Sequence, residues 1–251
     1  MTRWLSALLS LLLAAGCAGT PGKAKNNDAS VAATFQEIGA RELSLGMPEA
    51  AIRDLQRALA ADDTNPATYH YLGLAYLQLR QYRDAEESLA MALKLAPEDG
   101  EILNSVGTLH SLLGQWAEAE AAFRHALQCP DYRTPEIAHY NLGRVQAEQG
   151  NTGAAITALE QAEADNPGYL PPYLEMARLH EAQGDLGAAD AVLQRALTRF
   201  PDNVSILFAR GKLLYRQHRY QQALATLNDA RRLATDDALR ADIQRYIDIL
   251  E

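Results

Sequence analysis

The sequence has 251 residues, 48% hydrophobic and only 7% aromatic, with a formal charge of −9 and a mean hydropathy of −0.23. This is a soluble globular balance, long enough for one elongated domain or two small ones. The acidic balance argues against nucleic acid, since no global basic surface can displace counterions, and it disfavours anionic lipid headgroups. Two cysteines, Cys17 and Cys129, cannot make a disulfide framework. Alanine and leucine dominate and β-branched residues are few, so an all-α class is expected from propensity alone.

The chain opens with Arg3 and an apolar run from Trp4 to Leu13. That run is about ten residues, half of the ~20 a helix needs to span a bilayer, so it reads as the core of a signal peptide. Leu13-Ala14-Ala15-Gly16-Cys17 resembles a bacterial lipobox. The resemblance implies cleavage after residue 16, lipidation of Cys17 and, with Ala18 rather than aspartate next, sorting to the outer membrane. Ala14 stands where that pattern usually has leucine; an uncleaved anchor and an ordinary signal peptide are the alternatives. Losing Arg3 with the leader leaves 22 basic and 32 acidic side chains, net −10. Residues 17–31 are expected to be the lipidated cysteine and a flexible tether, because Ala18 to Ser30 are small and polar with no apolar period. A coil of that length reaches ~20 Å.

From residue 32 a period appears. Gly39, Gly73, Gly107, Gly143, Ala177 and Gly211 recur at steps of 34, 34, 36, 34 and 34. The same steps relate Ala51, Ala85, Ala119, Ala155, Ala189 and Ala223, and again Ala58, Ala92, Ala126, Ala162, Ala196 and Ala230. Between these two alanine columns lies a large apolar one: Leu55, Leu89, Phe123, Leu159, Leu193 and Leu227. The pattern resembles the tetratricopeptide repeat, a 34-residue helix-turn-helix. The resemblance implies an all-α right-handed superhelix of six helix pairs at 32–65, 66–99, 100–135, 136–169, 170–203 and 204–235. Close backbone approach is expected at the Gly73 and Ala85 columns, and Gly46, Gly114, Gly150 and Gly184 fall where a helix end favours positive φ. The 36-residue step places a two-residue insertion within Gln128–Pro135, whose Pro130 and Pro135 preclude continuous helix. Residues 236–251 read as an amphipathic capping helix with Asp236 and Asp237 at its start. A membrane-surface helix is the alternative, against which the mixed charge argues.

No catalytic constellation is present. There is no P-loop, GxGxxG or GxSxG. The six histidines show no i,i+4 metal pairing and no HExxH, so no metal, cofactor, small-molecule substrate or enzymatic activity is expected. Cys129 reads as a buried small residue, with an intermolecular disulfide as the minor alternative.

In tetratricopeptide arrays the first helix of each pair lines the concave surface. Two inner positions four residues apart give Tyr140 and Arg144, Leu174 and Arg178, and Phe208 and Lys212 in the last three repeats. The first three give neutral pairs: Gln36 and Ala40, His70 and Leu74, Asn104 and Thr108. The apolar column beside a basic one suggests a groove for a protein segment carrying acidic and apolar residues; a solvated face is the plainer alternative. The Lys and Asn residues of the two-carboxylate clamp of chaperone-binding relatives are missing from repeat one.

The stretches LNSVGTLHSLLGQWAEA (103–119) and CPDYRTPEIAHYNLG (129–143) resemble the pilotin lipoproteins of type IV pili. The resemblance implies an outer-membrane lipoprotein, its body in the periplasm, whose partner is a secretin subunit. The rival expectation is a general envelope adaptor for cell-wall or polysaccharide-export machinery.

Overall fold

The computed structural model describes residues 21–251, with side-chain surroundings from Asp28 onward. Among the described residues there are thirteen α-helices and no strand. They form six pairs: α1 (Pro21–Ser44) with α2 (Pro48–Ala61), α3 (Pro66–Gln78) with α4 (Tyr82–Leu95), α5 (Gly100–Leu112) with α6 (Trp116–Ala126). The series continues with α7 (Pro135–Glu148) and α8 (Thr152–Asp165), α9 (Pro171–Ala182) and α10 (Leu186–Arg199), α11 (Val204–Arg216) and α12 (Tyr220–Leu233). A single helix, α13 (Asp237–Leu250), ends the stack against α12. The array is all-α and superhelical, because each pair packs on the next along one continuous line. The expected signal peptide at 1–16 and the lipidated Cys17 lie outside the described residues.

Helix starts follow from local chemistry. Asn65, Asp99, Asp185, Asn203 and Asp236 are N-caps whose side chains accept free backbone N–H groups of α3, α5, α10, α11 and α13. Proline stands in the first turn of α2, α3, α7 and α9, where its missing N–H costs nothing. The same rule revises the tether: from Pro21 onward the expected coil is helix. A missing apolar period signals lack of burial rather than lack of helicity, and Lys23, Ala24 and Lys25 are good helix formers.

Every pair turns through the same motif. The residues Gly46, Gly114, Gly150 and Gly184 have φ between 72° and 80°. Arg80 and His218 occupy the equivalent position at 58° and 62° without being glycine. In each turn the next N–H donates to the carbonyl five residues back, from Met47 to Glu42, Gln81 to Tyr76, Gln115 to His110, Asn151 to Gln146, Asp185 to His180 and Arg219 to Leu214. This 6→1 bond is the Schellman closure that satisfies otherwise free carbonyls at a helix end.

The repeating columns form the core. All six residues of each alanine column are 0% exposed, and the large apolar column is no more than 1% exposed. The glycine column is a socket for that large side chain. A Cβ on Gly73 would stand 2.6 Å from Leu89 Cγ, one on Gly107 2.6 Å from the Phe123 ring, and one on Gly211 2.6 Å from Leu227. The expected close approach is seen along these columns: the Ala85 carbonyl is 3.6 Å from the Gly73 Cβ position and the Ala155 carbonyl 3.0 Å from that of Gly143, and the Leu89 and Leu159 side chains fill the rest of the space.

At the insertion, α6 spans 11 residues where the other second helices of the pairs span 14. Cys129 is buried just beyond its end. Tyr132 folds back onto Gly100, where a Cβ would lie 2.6 Å from Tyr132 Cβ. Burial pushes the Tyr132 phenol up to about 12. Thr134 Oγ1 donates to Glu101 at 3.1 Å, tying the joint to α5.

Candidate functional site

The first helices of consecutive pairs touch one another from α1 through α9. The second helices stand farther apart, so the first helices form the inner, concave side of the curve.

In the first three repeats the inner positions are occupied with structural hydrogen bonds. Gln36 Oε1 accepts from Asn65 and Thr68 at 2.7 and 2.9 Å. His70 Nε2 bonds Ser105 Oγ at 2.8 Å, and Asn141 donates to Asn104 at 3.2 Å. Burial lowers the His70 pKa, outweighing the opposing pull of Asp99. These neutral side chains stitch neighbouring helices, which leaves them fewer free groups for a partner.

The last three repeats differ. Tyr140 is half-buried and meets Tyr169 edge to face at 5.7 Å, with the exposed Arg144 guanidinium 5.8 Å from the Tyr140 ring. Leu174 packs on the core that includes Tyr173, Met176 and Ile206. Lys212 Nζ lies 4.7 Å from the Phe208 ring, and Phe208 meets Tyr246 of α13 edge to face at 5.6 Å. Tyr246 in turn contacts Tyr215 at 6.5 Å. Two open cavities flank Lys212. One of about 440 Å³ includes Phe208, Asp242, Tyr246 and Ile249 in its walls, and the other, of about 310 Å³, includes Glu181, Tyr215 and Arg216. Ile249 is 63% exposed.

The basic column is not uniform. Arg178 is held by Glu175 through two bonds of 3.0 and 2.5 Å, and this hydrogen bonding raises its pKa. Arg144 and Lys212 make no ion pair among the described residues. They are the groups that present uncompensated positive charge. Apolar and aromatic surface beside two such cations suits a segment with acidic and apolar side chains. Tyr169, Tyr215 and Tyr246 belong to this surface; reading two inner positions of each first helix misses Tyr215 of α11, and reading first helices alone misses the other two. Tyr169 lies in the turn before α9 and Tyr246 on the capping helix, and their aromatic identity is the signal that could have found them.

Below this face, Asp190 of α10 holds Arg210 of α11 at 2.8 Å and Arg219 of the following turn at 2.7 Å. Burial acts to raise the Asp190 pKa, and the two guanidinium bonds outweigh it, so the net shift is downward. The triad joins repeats five and six.

A second cluster lies at the joint between α6 and α7. Glu98, His125 and Cys129 bring one carboxylate oxygen, one imidazole nitrogen and one thiol within 4.8 Å of each other. His125 and Cys129 stand four residues apart, a mixed pair that histidine spacing alone does not mark.

Tetratricopeptide repeat models match residues 71–133 and 174–238, and a second such model matches 146–197, together more than half of the chain. The crystal structure of PilW, a widely conserved type IV pilus biogenesis factor, is similar with a TM-score of 0.74 and 26% identity. That likeness covers 85% of this chain and 98% of the other. PilF of Pseudomonas aeruginosa shares the fold, with a TM-score of 0.71 and 19% identity over 87% of this chain and 99% of that one. Superkiller complex protein 3 of mouse is 30% identical over 129 residues, 49% of this chain. The chain spans only 8% of that relative's length.

Proposed function

This chain belongs to the tetratricopeptide repeat family, and we propose that it is a non-catalytic, protein-binding lipoprotein assisting the outer-membrane localisation and assembly of a type IV pilus secretin. The observation that carries this reading is the end-to-end likeness to PilW, which accounts for 98% of that protein. A match to repeats alone, as with the much longer mouse relative, says nothing of the assembly in which the array works. The lipobox at Leu13–Cys17 supports anchoring through Cys17, with the body in the periplasm. Three acyl chains would hold it durably, at ~0.8 kcal/mol for each buried CH2. The partner docks on the concave side of repeats four to six, where Tyr140, Leu174 and Phe208 provide apolar contact and Arg144 and Lys212 provide charge.

The test is deletion of the gene followed by blotting for heat-resistant secretin multimers. Loss of multimers, restored by the wild-type chain and not by Cys17→Ser, is expected. Labelling with a radioactive fatty acid should mark the wild type and not Cys17→Ser. Normal multimers after deletion would overturn the secretin reading, and a cell-wall or polysaccharide-export defect would then favour a general envelope adaptor.

A further inference from the structure

The Glu98, His125 and Cys129 cluster lies away from the concave groove, at the joint made by the two inserted residues. His125 is on the last turn of α6, Cys129 just past its end, and Glu98 in the turn before α5. His125 Nε2 is 3.3 Å from Glu98 Oε2. The Cys129 thiol donates to the His125 backbone carbonyl at 3.4 Å, a bond that a metal–sulfur bond would replace. All three donor atoms lie within 4.8 Å of one another.

Bond lengths of about 2.0–2.3 Å to zinc place tetrahedral ligands roughly 3.3–3.6 Å apart. The nitrogen-to-oxygen distance already meets that spacing, and the sulfur needs to close by about 1.2 Å at most on the same arithmetic. Cys129 is buried, His125 half-buried and Glu98 exposed, so the site is anchored on one side and open to water on the other. Glu98 also borders a cavity of about 460 Å³ whose walls carry four carboxylates, Glu98, Asp99, Glu101 and Asp131, against one cation, Arg133, an acidic excess favourable to a cation.

We propose that Glu98, His125 and Cys129 bind a zinc-type divalent cation, with water as the fourth ligand. The mixed sulfur, nitrogen and oxygen donor set suits a borderline metal rather than calcium or magnesium, which take oxygen alone. Binding forms the metal–sulfur bond and releases the thiol proton to solvent. The ion would brace the insertion by clamping the α4–α5 turn to the end of α6.

The experiment is titration of the full-length chain, purified in detergent without a histidine tag, with Zn2+ by calorimetry and with Co2+ by absorption. One equivalent of Zn2+, a raised melting temperature and a thiolate-to-cobalt charge-transfer band are expected. Glu98→Gln changes an exposed side chain and leaves folding intact, and it should weaken Zn2+ binding about tenfold or more, since even changes behind the ligands cost that much. Cys129→Ser should abolish the charge-transfer band. Absence of that band in the wild type, or Zn2+ affinity unchanged in both variants, would overturn the site.

Discussion

Phe208 of α11 meets Tyr246 of α13 edge to face with ring centroids 5.6 Å apart. The helix that closes the hydrophobic stack therefore also forms one wall of the inner face in repeat six. Ile243 and Ile247 of α13 are fully buried against Leu227 and Ala230, while Tyr246, on the adjoining side, supplies an aromatic edge beside Lys212. Capping and recognition are carried by neighbouring positions of one helix.

The two roles separate by mutation. Ile247→Ala should destabilise the array by ~2–5 kcal/mol, the range for deleting buried aliphatic side chains. Tyr246→Ala should cost much less stability and should weaken partner binding. A double-mutant cycle with Phe208→Ala is expected to show a coupling of ~0.5–1.5 kcal/mol, the usual value of an aromatic pair. Additive effects on binding would show that the ring contact is incidental.

Glycine and alanine both occupy the socket column, which provides an internal control. Gly143→Ala sets a Cβ 2.8 Å from Leu159 Cγ and 3.0 Å from the Ala155 carbonyl. Overpacking of this kind costs ~1–3 kcal/mol, partly offset by the better helix propensity of alanine, ~1 kcal/mol. Ala155→Leu, with no such offset at a fully buried position, should cost more. Thermal and urea melts of the two variants test the order, and a Gly143→Ala variant as stable as the wild type or more so would contradict the socket.

Two pair turns use side chains where glycine is the unstrained choice. Arg80 at φ 58° and His218 at φ 62° hold a left-handed conformation that disfavours L-residues by ~1–2 kcal/mol. Arg80→Gly should stabilise the protein by up to ~1 kcal/mol after the added entropy of the unfolded glycine. His218→Gly should gain less, because it removes the 2.8 Å bond between His218 Nδ1 and Tyr220 Oη. Equilibrium denaturation that ranks the two in the opposite order would reject this account.

Asp190 makes stability sensitive to acid. Its folded pKa lies below the ordinary carboxylate value because the Arg210 and Arg219 bonds outweigh burial. A carboxylate with a lowered folded pKa contributes stability that is present above its unfolded pKa. That contribution is lost as pH falls from the unfolded value, ~3.9, through the folded one. Asp190→Asn should destabilise at neutral pH, where it leaves two guanidinium groups without a carboxylate, and should flatten the melting profile below about pH 4 relative to wild type. An identical acid limb in both proteins would show that other carboxylates carry the effect.

Periodicity made the core legible. One large and two small apolar residues per 34-residue step are a property of the chain itself, and the same residues prove fully buried. The turn at Arg80 and His218 was not legible, since neither residue announces positive φ and the motif is enforced by the 6→1 bond. The start of α1 was obscured because polar helix and polar coil share a composition. At the groove, the six positions on first helices follow from register. Tyr169, Tyr246 and the neutralising Glu175 depend instead on how a loop, a cap and a side-chain rotamer meet that face. Glu98 reaches His125 and Cys129 from 27 and 31 residues away, a proximity that only the packed joint creates.

The groove itself is tested by charge reversal and truncation. Tyr140→Ala and Phe208→Ala remove apolar contacts, and aromatic anchors at the centre of an interface often cost 2 kcal/mol or more, roughly a thirtyfold loss of affinity. Reversal of Arg144 or Lys212 to Glu should hurt more than reversal of Arg178, because Glu175 already compensates Arg178 within the free protein. All three reversals should matter more in low salt, since at 0.1 M screening weakens exposed charges beyond about 10 Å. Melting should change little, as exposed ion pairs contribute only ~0–1 kcal/mol. Pull-down of the secretin and the level of its heat-resistant multimers are the readouts, measured against circular dichroism as a check on folding. If the triple variant Arg144→Glu, Arg178→Glu, Lys212→Glu keeps normal multimers and normal pull-down, the inner face of repeats four to six is a solvated surface. The contact would then lie elsewhere, with the joint around Tyr132 next to be mutated, where the Tyr132 ring rests on Gly100 and acidic side chains line the adjoining cavity.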